Sequence, residues 1–284
     1  MAVAHAPLAR FRAGLDPLVL VTVTAAWALM LVLVVLDRPA VLDHGAILSA
    51  PPASLPVVLV LFVATWQVMT AAMMLPTALP MLRAFGRVAR GQARPRTTMA
   101  VFTSAYFAVW TGFAVVALGG DAVLHRAVDA SPWLAQRPDL IAGGVLVAAG
   151  LFQLSPLKER CLTECRSPSA FLWTHYRRGV AGAWHTGLRH AGYCLGCCWA
   201  LMLVMFAVGT GNLVALAALT GVMLLERTHP RGRRLVPVVG VALVVAGTLV
   251  VSLAGPAEDG HGDADHAAPG YTVDDGGASV LVGG

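Results

Sequence analysis

Long apolar runs separated by short polar segments dominate the sequence. Five runs are long enough to cross a membrane, because a helix needs about 20 apolar residues to span the hydrocarbon core. A sixth apolar block, 191–226, is too long for one crossing and contains the turn sequence GTGN at 209–212, which predicts two short helices. The pattern predicts an all-α, polytopic membrane helix bundle with seven transmembrane helices, near 17–36, 56–82, 99–119, 139–156, 191–208, 212–226 and 235–254.

Composition and charge support this topology. The chain has 57% hydrophobic and 12% charged residues and a mean hydropathy of +0.73, whereas soluble domains carry about 25% charged residues. Of the 20 Lys and Arg residues, 17 lie in the N-terminus and in loops 83–98, 157–190 and 227–234, which alternate with loops that hold few. The positive-inside rule then predicts a multi-pass membrane protein with a cytoplasmic N-terminus and an outer C-terminus. Because topology accounts for the arginines, no nucleic-acid partner is expected.

The segments outside the spans have distinct compositions. Residues 1–254 form the predicted transmembrane domain, and the acidic, Gly-rich tail 255–284 is predicted to be disordered. The tail sequence HGDADH at 261–266 is interpreted as flexible rather than as a Cu(II) or zinc site. The connector 167–190 begins with Ser167 and Pro168, a helix-start signal, and is basic and aromatic. It predicts a cytoplasmic interfacial helix against the lipid bilayer.

The five cysteines all fall at the cytoplasmic ends of predicted spans. Cys161 and Cys165 follow the fourth span, and three more begin the fifth in the sequence CLGCC. The cytosol keeps thiols reduced, which favours free thiols or thiolate ligands over structural disulfides. At 100° per residue, one stripe about 80° wide holds two cysteines and two methionines, with Cys197 beside it. The stripe consists of Cys194, Cys198, Met202 and Met205.

The second span also carries sulfur. Met69 and Met73 share a helix face, and Met73 and Met74 reach a depth comparable to the first stripe. Pro76 removes the amide that would bond to the Ala72 carbonyl and predicts a kink there. We therefore expect the second and fifth spans to meet. Soft thiolate and thioether ligands select Cu(I), and thiolates also suit zinc. Ordinary packing is the alternative, because Met and Cys are common core residues.

Other residues narrow the function. His185 and His190, near the cysteines, are further candidate ligands. The sequence holds no phosphate-binding glycine loop, no HExxH and no GxSxG, so we do not expect an enzyme built on these motifs. The carboxylates Glu159, Glu164 and Glu226 are expected to pair with Lys158, Arg160, Arg166 or Arg227 rather than to act in catalysis.

Three strings resemble a known family: AAMMLPTALPM (71–81), FQLSPLKERCLTECRSPSAFL (152–172) and GYCLGCCWALMLVMFAVGTGNL (192–213). The chain resembles, over roughly 66–250, a bacterial family of predicted metal-binding integral membrane proteins. That family is classed as a domain of unknown function and is sometimes labelled copper chaperone. The resemblance implies that its cysteines are Cys161, Cys165, Cys194, Cys197 and Cys198, and that its second-span motif contains Met73, Met74 and Pro76.

The leading hypothesis is a membrane protein that binds a soft metal, Cu(I) first and zinc second, for copper handling or delivery. Its partners are then the bilayer, the metal ion and a copper-dependent membrane enzyme or metallochaperone. The candidate ligands are Cys161, Cys165, Cys194, Cys197, Cys198, Met73, Met74, Met202, Met205, His185 and His190. One alternative is a thiol–disulfide relay between Cys161/Cys165 and Cys194/Cys197. The other is a scaffold subunit, in which sulfur only packs and the basic connector binds a partner.

Overall fold

A computed structural model of the chain describes residues 17–36, 51, 54–209 and 212–254. All regular structure within these residues is helical, which confirms the predicted all-α class. The N-terminal arginines, most of loop 37–55, and the tail 255–284 with its HGDADH sequence lie outside the described residues. The helices are α1 (Pro17–Val35), α2 (Leu55–Ala89), α3 (Pro95–Asp129), α4 (Pro132–Ala135), α5 (Pro138–Gln153), α6 (Pro156–Arg166), α7 (Pro168–His175), α8 (Gly179–Val208), α9 (Leu213–Thr228) and α10 (Gly232–Leu253).

Five of these helices, α1, α2, α3, α8 and α10, are long and apolar enough to cross a membrane. Together α5 and α6 make a sixth candidate, bent by 64° at the break between them. With 16 residues, α9 is shorter than a usual span. Every predicted transmembrane segment overlaps one of these helices, while the seven-span topology itself stays a prediction.

The long apolar block 191–226 is broken where the GTGN sequence predicted a turn. At the break, α8 ends at Val208 and Gly209 adopts a φ of +92°, a conformation that favours glycine. Asn212 then caps α9, because its Oδ1 accepts a hydrogen bond from the Ala215 amide at 3.0 Å. This part of the block therefore forms two helices, as expected.

The predicted interfacial helix is shorter than the connector 167–190 from which it was predicted. Only residues 168–175 form α7, and the backbone is extended at Tyr176 and Arg178. A new helix starts at Gly179, where φ is +82°. Residues 179–190 are the first turns of α8, and since no proline follows before 208, nothing interrupts the helix.

The prolines of α2 are accommodated inside a continuous helix from 55 to 89. Pro76 leaves the Ala72 carbonyl without its helical donor, and the indole Nε1 of Trp27 donates to that carbonyl at 3.2 Å. The freed carbonyl is thus satisfied by α1. Met30, also on α1, is fully buried in the same core.

Helix α8 lies at the centre of the bundle and packs against α3, α5 and α6. Helix α2 packs instead against α1, α3 and α9. Helices α3 and α9 contact both α2 and α8, and buried side chains of α2 and α8 belong to one core. The expected direct packing of α2 on α8 stays a prediction.

Helix α5 packs against α10 through an interface that depends on glycine. Gly143 and Gly150 of α5 face Gly247 and Gly240 of α10, and a Cβ atom on Gly150 would lie 2.6 Å from the Gly240 carbonyl oxygen. Small residues let membrane helices approach to backbone contact, so these glycines fix the position of α5.

Candidate functional site

The first two cysteines are positioned by α6. The Ser155 hydroxyl caps this helix by accepting from the Lys158 amide at 3.2 Å, and Pro156 occupies its first position. Lys158, Cys161, Leu162 and Cys165 then recur at the spacing of one helix face. That face packs on α8 and α9, and Lys158 and Leu162 are buried.

The remaining three cysteines lie on α8. Cys194, Cys198, Met202 and Met205 are each at most 2% exposed, which agrees with the predicted stripe. Cys197, expected only beside the stripe, is buried as well. The reason is that α6 approaches α8 on the side of Cys197 rather than along the middle of the stripe.

Cys197 is the centre of the sulfur cluster, which we define as Cys165, Cys197 and Cys198. The Cys197 Sγ lies 3.8 Å from the Cys165 Sγ and 3.5 Å from the Cys198 Sγ. A disulfide requires about 2.05 Å between sulfurs, and all five cysteines of the chain are free thiols. Cys197 therefore lies near one thiol of α6 and one thiol of its own helix.

Arg227, in the last turn of α9, completes the cluster. Its Nη2 donates to the Cys165 Sγ at 3.0 Å and to the Cys197 Sγ at 3.4 Å, and its Nη1 donates to the Thr77 hydroxyl at 2.7 Å. The guanidinium therefore bridges α2 and α8. Among the described residues Arg227 has no carboxylate partner, and the pairing expected for Glu226 is made by Lys158.

The carboxylates have other partners. The Lys158 Nζ donates to the Glu226 carboxylate at 2.7 Å, as expected, and Gln153 Nε2 donates to its second oxygen at 2.8 Å. Lys158 and Glu226 have side chains at most 1% exposed, so this is a buried ion pair. Glu159 pairs with Arg233 at the surface instead of with its predicted partners. Because Glu226 directly precedes Arg227, the buried pair sets where Arg227 meets the cysteines.

Cys161 and Cys194 flank the sulfur cluster. The Cys161 Sγ rests on Gly196, where an added Cβ would lie 2.6 Å from it. The Cys194 Sγ lies 3.0 Å from the hydroxyl of Tyr106 on α3. Cys161 of α6 thus packs on α8, and Cys194 of α8 contacts α3.

The two candidate histidines have opposite environments. His190 is 3% exposed, its ring stacks with Phe102 and Tyr106, and its Nε2 has no hydrogen-bond partner among the described residues. It lies one turn before Cys194 on the same face of α8. His185 is exposed, and nine residues at 100° each place it on the side of the helix opposite Cys194. The structure therefore brings His190, and not His185, toward the cysteines.

The four candidate methionines are fully buried in one core. These are Met73, Met74, Met202 and Met205. The two pairs lie on α2 and α8, whose backbones are not in close contact, so they face a common interior rather than a shared helix interface.

Among the described residues, no group of three or more His, Cys, Asp and Glu side chains has an arrangement that could hold a metal ion. The structure thus presents thiols near one another together with a cation, rather than a closed set of ligands. A structural zinc site, which takes four ligands, is a poorer fit to this arrangement than a soft ion with few ligands.

Three residues at the cluster do not stand out in the sequence: Thr77 and Tyr106, and Arg227 as a partner of sulfur. A signal for Arg227 exists in α9. Its buried residues follow the spacing of one helix face to the end of the helix, namely Leu216, Leu219, Thr220, Met223, Glu226 and Arg227. Extending the apolar face by its own period would have placed Arg227 inside the bundle.

One comparison with known proteins gives a match. The family model PpoB2, described as "Copper chaperone", matches residues 63–250, which include every cysteine and Arg227. Neither the curated proteins nor the solved structures yield a match to the chain.

Proposed function

The chain belongs to the PpoB2 copper chaperone family, and from this premise we propose that it binds Cu(I) as cargo at the sulfur cluster. The observation that carries the proposal is the position of Cys197, with two other thiols within 3.8 Å of its Sγ inside the bundle. Copper here is the ion that the protein handles and passes on, not a resident cofactor.

The chemistry of the donors supports this proposal. Thiolates are soft ligands that select Cu(I), and they bind zinc as well. Two thiolates on one metal at about 2.3 Å lie about 3.8 Å apart in a tetrahedral arrangement and about 4.6 Å apart in the linear one that suits an ion with two ligands. The separation of Cys165 and Cys197 is 3.8 Å, so an opening of less than about 1 Å lets their sulfurs share one Cu(I) ion. Cys198, 3.5 Å from Cys197, is a neighbouring thiol in this proposal and not a ligand of Cu(I).

The other candidates have secondary roles in the proposal. Cys161 and Cys194 flank the sulfur cluster and receive or release the ion. Met73, Met74, Met202 and Met205 supply a deeper set of thioethers, which the burial of all four supports. His190 is retained as a neighbour of Cys194, while His185 is dropped because it is exposed on the other side of α8.

The setting of this function is a bacterial inner membrane. We place the sulfur cluster at the cytoplasmic side and the C-terminus outside, from the distribution of basic residues in the sequence. The recipient is a copper-dependent membrane enzyme or a metallochaperone. The chain acts by binding and transfer rather than by catalysis.

Metal analysis of the purified protein tests the proposal. The wild-type chain, reconstituted with Cu(I) under anaerobic conditions, should retain copper, and Cys165→Ser together with Cys197→Ser should remove most of it. Met99→Leu is a matched control, because Met99 carries sulfur at the partly buried start of α3 and is not a candidate ligand. Copper retention unchanged by the double serine variant would contradict the assignment.

The alternatives predict other results in the same samples. The 3.8 Å separation of Cys165 and Cys197 is also short enough for a disulfide after a small shift of α6, which favours a relay if the protein holds no copper. Thiol trapping would then find a reversible Cys165–Cys197 disulfide. If the protein shows neither bound copper nor a disulfide, the results favour a scaffold subunit in which the cysteines only pack.

A further inference from the structure

Arg227 is a buried cation whose donors are directed at sulfur. The residue is 6% exposed, and its Nη2 contacts the Sγ atoms of Cys165 and Cys197. Its Nη1 is held by the Thr77 hydroxyl at 2.7 Å. An arginine keeps its charge under all conditions relevant to proteins, and its planar fork fixes the direction of that charge.

No carboxylate neutralises this charge locally. Among the described residues, the ion pairs are His125–Asp121, Arg137–Asp139, Lys158–Glu226 and Arg233–Glu159, and none includes Arg227. The nearest carboxylate in sequence, Glu226, is already occupied by Lys158 and Gln153. A buried charge is costly unless it is compensated, so the compensation must come from negative charge at the cysteines, as a thiolate or as a thiolate complex of a metal ion.

We infer that Arg227 is the specificity-determining residue of the sulfur cluster and that its fixed charge favours a monovalent soft ion over a divalent one. The inference rests on the proposed function and names the basis of its selectivity. Two thiolates with one Cu(I) carry a single net negative charge, which Arg227 neutralises. Two thiolates with one divalent ion are already neutral, and Arg227 would then remain as an uncompensated buried cation.

A complex of a divalent ion can neutralise the charge of Arg227 only if a third thiolate also binds the ion. Cys198 is close enough to provide it, at 3.5 Å from Cys197, but its proton must also be lost when the ion binds. Removing the charge of Arg227 reverses the preference, because the two-thiolate copper complex is then left negative while the two-thiolate zinc complex is neutral.

The test is a competition between Cu(I) and Zn(II) on the purified full chain, with the bound metals measured by elemental analysis. Arg227→Met should lower the ratio of bound Cu(I) to bound Zn(II) by at least about tenfold, which corresponds to about 1.4 kcal/mol. Arg227→Lys keeps the charge and should restore most of the wild-type ratio. Arg234→Met is the matched control, because it removes an exposed arginine from the start of α10 and should leave the ratio unchanged.

The outcomes separate this inference from the proposed function. If the wild-type chain binds no Cu(I), the proposed function fails and the inference fails with it. If it binds Cu(I) through its cysteines but Arg227→Met leaves the ratio unchanged, only the inference is overturned. If Arg227→Lys gives a ratio of Cu(I) to Zn(II) as low as that of Arg227→Met, the inference is also overturned. That result would mean that the shape of the guanidinium matters and its charge does not.

A second variant covers the case in which Arg227→Met does not accumulate as folded protein. Thr77→Val removes the hydroxyl that holds Nη1 and loosens the guanidinium without changing its charge. We expect this variant to lower the ratio by about twofold to threefold, less than a tenfold change of about 1.4 kcal/mol. An unchanged ratio for Thr77→Val would count against the inference.

Discussion

Helices α5 and α6 form one bent unit with two interfaces of opposite chemistry. On one side, α5 meets α10 through glycines, and backbone lies directly on backbone. On the other, α6 meets α8 and α9 through thiols, a buried ion pair and Arg227. At the glycine interface an added atom is costly, whereas at the sulfur interface the loss of one partner is costly. The glycine interface fixes the position of the α5–α6 unit, and the sulfur interface contains the candidate ligands.

The largest effect is expected at the buried ion pair of the sulfur interface. Glu226→Gln leaves the Lys158 ammonium buried without its counter-charge, and breaking such a pair costs about 3–5 kcal/mol. The free energy of unfolding in detergent should fall by that amount, as measured by chemical denaturation followed by circular dichroism.

The matched control removes both charges at once. Lys158→Met combined with Glu226→Leu keeps the side-chain volumes similar and should recover most of the loss, because two apolar side chains leave no charge uncompensated. A double variant as unstable as Glu226→Gln would show that the charges are not the origin of the effect. The glycine interface offers no such rescue, since its contacts involve backbone.

The two interfaces also differ in how far the sequence predicts them. Apolar runs predict the helices, and helical spacing predicts that Cys194 and Cys198 share a face, because both follow from local geometry. Which side of α8 receives α6 depends on the direction of the 64° bend after α5. Ser155 and Pro156 signal the break itself, but no local pattern encodes its direction. For that reason Cys197, expected at the edge, is the centre of the sulfur cluster.

The same limit explains Arg227. In the sequence, Arg227 is one of 17 basic residues on the predicted cytoplasmic side, and Glu226 is its neighbour. Topology and a nearby carboxylate therefore already account for an arginine at this position. Its contact with Cys165 joins residues 62 positions apart, and only the packing of α9 against α6 brings them together. The pairing of Lys158 with Glu226 could be predicted from the sequence, because each is a candidate partner at the predicted inner end of a span.

A smaller effect is expected at the glycine interface. Gly150→Ala places a Cβ 2.6 Å from the Gly240 carbonyl oxygen, and because that atom belongs to backbone, the helices must separate. We expect a loss of about 1–3 kcal/mol in the free energy of unfolding, with copper bound per folded molecule unchanged.

Gly144 on the same helix is the control for this substitution. A Cβ at Gly144 meets no heavy atom within 4 Å, so Gly144→Ala should be neutral or should stabilise by up to about 1 kcal/mol through helix propensity. Equal destabilisation by both alanine variants would mean that the close approach of α5 to α10 is not what Gly150 provides.

The smallest change in stability is expected where the sulfur interface itself contains a glycine. Gly196→Ala places a Cβ 2.6 Å from the Cys161 Sγ, and this contact can be relieved by rotation of a cysteine side chain. The free energy of unfolding should fall by less than about 1 kcal/mol, an overpacking cost at the low end. Displacement of Cys161 and a slight shift of α6 should nevertheless weaken Cu(I) binding by about threefold, or about 0.7 kcal/mol.

Gly192, one turn earlier on α8, supplies the matched alanine variant. A Cβ added there would meet no heavy atom within 4 Å, so Gly192→Ala should leave Cu(I) binding unchanged and leave stability unchanged or raise it by up to about 1 kcal/mol. Competition with a Cu(I) chelator and denaturation of the same samples measure both. If Gly196→Ala destabilises the protein as much as Gly150→Ala, the sulfur interface is packed as rigidly as the glycine interface. The two would then differ in composition only, and cargo could leave the cluster only by a larger movement of α6.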